Sequence, residues 1–209
     1  MTARVLFLVA AGAIAVGLSP SISAAQSAAL RHIDVPDLPN DLIVEEGNVA
    51  FLEGRAVGTQ NYICLPVGSI FKWTFTGPQA TLFLSPHGEL QQQITTHFLS
   101  ANPEEGNLLR PTWQHSSDSS RVWGRVKAMT TDSNYVEAGA IPWLLLEAAG
   151  TAEGTSSGSL LARTTFIHRV NTSGGVAPKT GCAQATDVGI VALVPYSTDY
   201  IFYRARQGR

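Results

Sequence analysis

Ile70-Phe71-Lys72-Trp73-Thr74-Phe75-Thr76-Gly77-Pro78-Gln79-Ala80-Thr81-Leu82-Phe83-Leu84 is the stretch that decides the fold class. Phe71, Trp73 and Phe75 alternate with Lys72, Thr74 and Thr76, which puts the aromatic rings on one face and the polar groups on the other. A period of two is the signature of a strand with one buried face. Gly77-Pro78 reads as a turn, and Ala80 to Leu84 as a second strand of a hairpin or meander. Trp73, flanked by Phe71 and Phe75, is expected in the core.

The pattern recurs on both sides. Val122, Gly124, Val126 and Ala128 alternate with Arg121, Trp123, Arg125 and Lys127. Gln60 to Cys64, Ile94 to Leu99, Leu160 to Val170, Val188 to Val194 and Tyr200 to Tyr203 read as further strands, separated by turn-rich breaks. Ser100 to Pro111 reads as a polar loop, and so does Asn171 to Gly181. Ile141 to Ala149 is apolar throughout. Pro142 and its leucines suit a helix, but the Gly/Ser/Thr segment after it suits one arm of a hairpin, and we read it as a strand. Short strands punctuated by turns predict an all-β, mainly antiparallel domain, a sandwich or barrel with long loops and little helix.

The N-terminus carries a different signal. Arg4, the apolar run Val5 to Leu18 and the small residues of Ser23-x-Ala25 have the order of a secretory signal peptide cleaved before Gln26. The expected layout is a signal peptide over 1–25, a flexible lead-in over 26–40 broken by Pro36 and Pro39, and one β-rich domain over 41–209. Cleavage leaves 184 of the 209 residues, enough for one full-sized core. No later run reaches the roughly 18 apolar residues of a membrane span, so no transmembrane segment is expected in the mature chain. Its place is periplasmic or secreted. Without Arg4, 13 basic residues face 16 acidic ones, a formal charge of −3. That balance offers nothing to nucleic acid. In an oxidising compartment the two cysteines, Cys64 and Cys182, read as a disulfide closing a loop of about 120 residues, worth roughly 4–5 kcal/mol in the chain-entropy model. Two buried free thiols are the alternative, and two sulfurs without a CxxC do not make a metal site.

No P-loop, GxGxxG, HExxH or EF-hand loop is present, so no nucleotide-cofactor or metal motif can be assigned. Gly154-Thr155-Ser156-Ser157-Gly158 matches GxSxG but lies in a Gly/Ser loop, not at the strand–helix turn a nucleophile elbow needs. The candidate site residues are His97, Trp113, His115, Asp118 and Trp123. Two imidazoles and a carboxylate can bind a transition metal or act as base and orienter. The plain alternative is a hydrogen-bonded Ser-Ser-Asp-Ser-Ser turn ahead of the strand at Arg121. Trp123 shares its face with Arg121, Arg125 and Lys127, where an exposed indole would stack on a sugar or an aromatic ligand. Arg169, if buried, needs carboxylate or carbonyl partners.

A series of motifs adds a resemblance: Tyr62-x-Cys64, Phe75-x-Gly77-Pro78-x-Ala80, Pro111-x-Trp113, Ile141-Pro142-Trp143-Leu144, Arg169-Val170-Asn171-Thr172-x-Gly174-Gly175 through Gly181-Cys182, and Val194-Pro195-Tyr196-Ser197-x-x-Tyr200-x-Phe202-Tyr203. Their order resembles an exported domain-of-unknown-function family of bacteria and fungi, sometimes labelled malate dehydrogenase in fungi. No dinucleotide fingerprint supports that label. The resemblance implies a single exported domain, with both cysteines in family motifs and His97 at a recurrent position, and it supplies no catalytic residue. Against the family pattern, Asp118-Ser119-Ser120 replaces Asp-Gly-Ser, and Leu99 to Arg110 reads as an insertion. The function expected is an exported β-rich module that binds a small molecule or glycan or serves an envelope or surface role. The alternative is a metal-assisted or hydrolytic enzyme using His97, His115 and Asp118.

Overall fold

The computed structural model describes residues 33–84, 92–155 and 157–206. The expected signal peptide lies outside the described residues. Eight strands follow one another: β1 (Asn48–Val67), β2 (Ile70–Leu84), β3 (Gln92–Asn102), β4 (Leu108–His115), β5 (Arg121–Thr130), β6 (Trp143–Ala152), β7 (Thr164–Gly174) and β8 (Val191–Ala205). Each pairs antiparallel with the next, and β8 returns to β1, closing an up-and-down barrel. The all-β expectation holds, and closure resolves it to a barrel, which leaves no free sheet edge. The described helical residues form only three-residue 3₁₀ turns. None is long and apolar enough to cross a membrane.

The deciding stretch folds differently from its expectation in one respect. Ile70–Leu84 is a single strand, not two strands about a turn. Gly77 has φ +133°, open to glycine and closed to most side chains, and the β1–β2 register shifts opposite it at Asn61/Tyr62. The strand bends there and runs on. Pro78 is tolerated because the β2–β3 ladder begins only at Ala80↔His97. Past the bend the hairpin leaves the barrel wall, so Phe71 and Trp73 are half-buried instead of core. The Trp73 indole donates to the Thr180 carbonyl at 3.0 Å. Beside it the Cys64–Cys182 disulfide pins the 175–190 segment to β1.

The barrel has two apolar layers. The lumen holds Leu82, Trp113, Val122, Leu146, Ile167 and Phe202, with Leu161 inserted from the loop before β7. A second cluster lies outside the β6–β7–β8 wall: Trp143, Leu145, Phe166, Val170, Ile201 and Tyr203, covered by Leu42, Ile33, Leu38 and Val136. The segment read as a lead-in is therefore packed from Ile33 onward. Strands buried on both faces lose their alternation, which is why Ile141 to Ala149 shows no period.

The Ser100–Pro111 loop is not a loop. β3 runs to Asn102 and β4 starts at Leu108, around a single 3₁₀ turn at Pro103–Glu105. Asn102, fully buried, donates to the Ala149 carbonyl and to Glu105 and accepts from the Glu104 N–H. Arg110 grips Glu105 through two 2.7 Å bonds. The hairpin tip is thus folded against β6, over the outer face of β5.

Candidate functional site

The lumen is not filled to its end. Above Trp113 it holds a cavity of about 160 Å³. His97, Trp113, Tyr200, Gln60 and Arg169 form its polar and aromatic lining. Phe75, Pro78, Pro111, Leu144 and Leu146 supply flat apolar walls. The strands place these groups by register: His97 lies opposite both Ala80 and Trp113, and Tyr200 opposite Arg169 and Gly54. Gly124 makes room for the indole, since a Cβ there would stand 2.9 Å from Trp113 Cζ3.

His97 and Trp113 stack, with ring centroids 4.2 Å apart and planes 12° from parallel. Tyr200 meets both edge-on, at 5.1 and 5.2 Å. His97 Nδ1 lies 2.9 Å from the Thr112 carbonyl, so it carries the proton and donates. That leaves Nε2 as an acceptor with no hydrogen-bond partner among the described residues. Burial drives the His97 pKa down to about 3, more than the Thr112 bond raises it, and the Arg169 charge adds to the fall. The ring is neutral at any physiological pH.

Arg169 spends Nε and Nη2 on the Pro142 carbonyl, at 3.1 and 2.8 Å. This is the carbonyl partner its burial demands. Among the described residues no carboxylate lies within 4 Å of the guanidinium. Its charge is felt around the cavity, where it pulls against the upward push of burial on the phenols of Tyr62, Tyr196 and Tyr200. The Tyr196 hydroxyl sits beside Tyr200 and Gln60. Gln60 Nε2 and Trp113 Nε1 are buried donors without a partner among the described residues, in side chains only 3% and 1% exposed. An unmet buried donor costs about 1–3 kcal/mol, so two beside one cavity call for an explanation.

The other sequence candidates lie elsewhere. His115 Nδ1 is 2.9 Å from Asp118 Oδ1, at the β4–β5 turn. Asp118 also accepts from the Ser120 N–H and hydroxyl and from the Leu160 N–H, while the Ser120 hydroxyl accepts from the Leu161 N–H. Burial pushes the Asp118 carboxyl up, but these bonds together outweigh it and hold the group ionised, below its usual range. The cluster clamps the loop that carries Leu161 into the lumen. Gly154 and Gly158 of the GxSxG match belong to the same loop, closed by a Gly154 N–H to Gly158 carbonyl bond; Ser156 lies outside the described residues. His97 and the His115–Asp118 pair are thus tied to separate partners, and no three potential metal ligands gather among the described residues. Trp123 is corrected outright: it is 3% exposed, not a surface shelf, and donates to Ser100 Oγ at 2.8 Å. The folded-over β3–β4 hairpin covers it, which alternation along β5 does not reveal.

Of the sequence candidates, His97 and Trp113 line this cavity; sequence reasoning passed over Gln60, Tyr196 and Tyr200 and asked of Arg169 only that it find carboxylate or carbonyl partners. The available signal was position: Gln60 sits two residues from Gly58 on the lumen-facing register of β1, where a polar residue is out of place.

A family model described as "Protein of unknown function (DUF3455)" matches residues 46–204, and the chain belongs to that family. The match spans all eight strands except Ala205, the last residue of β8, and the resemblance read from the motifs is to this extent shown. No curated protein and no solved structure matches the chain.

Proposed function

We propose that this member of a family of unknown function is an exported module that binds a small molecule inside its barrel, at the cavity between His97, Trp113, Gln60 and Arg169. The single observation that carries the reading is the pair of unpartnered donors, Gln60 Nε2 and Trp113 Nε1, beside a guanidinium with no acidic partner, all lining one cavity. Buried polar groups are normally satisfied, and a partly apolar cavity with a few convergent polar groups is the usual form of a ligand site. At about 160 Å³ the space suits a small molecule rather than a glycan chain. The disulfide fits an oxidising compartment, and the signal-peptide pattern over 1–25 supplies the route there. The fold supplies rigidity: every lining residue stands on a paired strand or at its bend.

A thermal-shift screen of the disulfide-bonded protein against a broad library of compounds with at most about a dozen heavy atoms tests the reading. Stabilising hits should vanish in Leu146→Trp, which fills the cavity. A library without hits, or hits indifferent to that substitution, refutes it.

A further inference from the structure

The unspent hydrogen-bonding capacity of the cavity is lopsided. Gln60 Nε2 and Trp113 Nε1 are donors. Arg169 spends Nε and Nη2 on the Pro142 carbonyl and also meets the Tyr200 hydroxyl, which leaves part of its five-donor set open. His97 Nε2 is an open acceptor, and the Tyr196 hydroxyl, also buried without a partner among the described residues, can donate or accept. A ligand that satisfies the site must bring acceptors, and the uncompensated guanidinium asks for negative charge. Arg is the side chain best matched to a carboxylate, which it grips through parallel N–H bonds.

Shape narrows the choice further. The stacked His97–Trp113 pair and the rings of Phe75, Pro78, Pro111 and Tyr200 present flat surfaces. A cavity of about 150 Å³ lined by apolar groups holds one benzene ring, and this one measures about 160 Å³. Resting on the small-molecule reading above, we propose that the ligand is a small planar monocarboxylate, one ring or its equivalent in size. Its carboxylate meets Arg169 and the Gln60 amide, and its flat body lies among the aromatic and proline walls.

The probes are sodium benzoate, benzyl alcohol and benzylamine, which share a ring and differ in the charge of the head group. Binding to the disulfide-bonded protein is read by calorimetry at low salt. Benzoate should bind at least tenfold tighter than the alcohol, and benzylamine should not bind. Gln60→Glu, nearly isosteric, supplies Arg169 with an internal carboxylate and should weaken benzoate roughly tenfold more than it weakens benzyl alcohol. Arg169→Gln should abolish the preference for the acid; if that variant fails to fold, Gln60→Glu still decides. Equal or tighter binding of the alcohol or the amine overturns the carboxylate while the cavity reading stands. Benzoate binding that ignores Gln60→Glu means the acid sits elsewhere and overturns the proposal. No binding by any probe, with library hits still sensitive to Leu146→Trp, overturns the proposed chemistry alone; an empty library as well removes the reading beneath it.

Discussion

Among the described residues two histidines, His97 and His168, lie fully inside the protein, and their surroundings differ in one respect. His168, in the layer outside the β6–β8 wall, uses both nitrogens: Nε2 lies 2.7 Å from the Leu42 carbonyl and Nδ1 2.9 Å from the Tyr203 hydroxyl. It ties the N-terminal segment to the barrel. His97, in the lumen, uses one nitrogen on Thr112 and keeps the other beside a cavity. Burial lowers the pKa of both, so neither burial nor protonation separates them. What separates them is whether the neighbourhood is complete. Among the described residues the outer cluster leaves the Trp143 indole N–H unmet, whereas the lumen leaves Gln60 Nε2, Trp113 Nε1 and the Tyr196 hydroxyl unmet, the first two in side chains that line the cavity. A buried polar group with all its partners is holding the fold together; one without them is waiting for something.

Acid should expose what the two regions share, and with the largest effect. Below about pH 6.5 the unfolded chain takes up protons that the folded histidines refuse, so stability falls with pH until the folded pKa is reached, about 3 for His97. Each histidine contributes a slope of up to about 1.4 kcal/mol per pH unit. Urea titrations from pH 7 to pH 4.5 should show a loss of about 2.5 kcal/mol from His97, with a further loss from His168 that His168→Leu removes. A flat profile would mean that both rings accept a proton in the fold.

The regions should then part. His168→Leu strands the Leu42 carbonyl and the Tyr203 hydroxyl in the outer layer and is expected to cost about 3 kcal/mol at pH 7, with ligand binding intact. His97→Phe keeps the stack on Trp113 and strands only the Thr112 carbonyl, so it should cost about 1–2 kcal/mol but abolish binding in the cavity. Equal stability losses, or binding lost in the His168 variant instead, would erase the distinction between the two sites. The smallest effect is expected at Trp123→Phe, where one bond to Ser100 goes. About 1 kcal/mol of stability should be lost without any change in binding, and a binding defect there would restore Trp123 as a ligand residue.

Much of the architecture was legible before any coordinates. Alternation at Phe71–Thr76 and at Arg121–Ala128 marked strands, and oxidation state plus an even cysteine count marked the disulfide now seen between Cys64 and Cys182. The failures have physical causes. Gly77-Pro78 looks like a turn because glycine and proline also serve bends, and only the shifted β1 register tells the two apart. Trp123 looked exposed because local period reports a face of a strand, not what a distant hairpin lays over it. His115 and Asp118 looked chemical because a clamp and a catalytic pair use the same side chains.

From the chain alone came the strands, the single-domain scale, the disulfide and the presence of His97 and Trp113 in one motif region. These depend on nearest-neighbour chemistry and period, which are written in order along the sequence. Closure of the sheet, the second apolar layer and the meeting of Gln60, His97, Trp113, Arg169 and Tyr200 around one cavity were decided by the tertiary structure. Those residues come from five different strands, and only the pairing register that closes the barrel brings them within reach of one another.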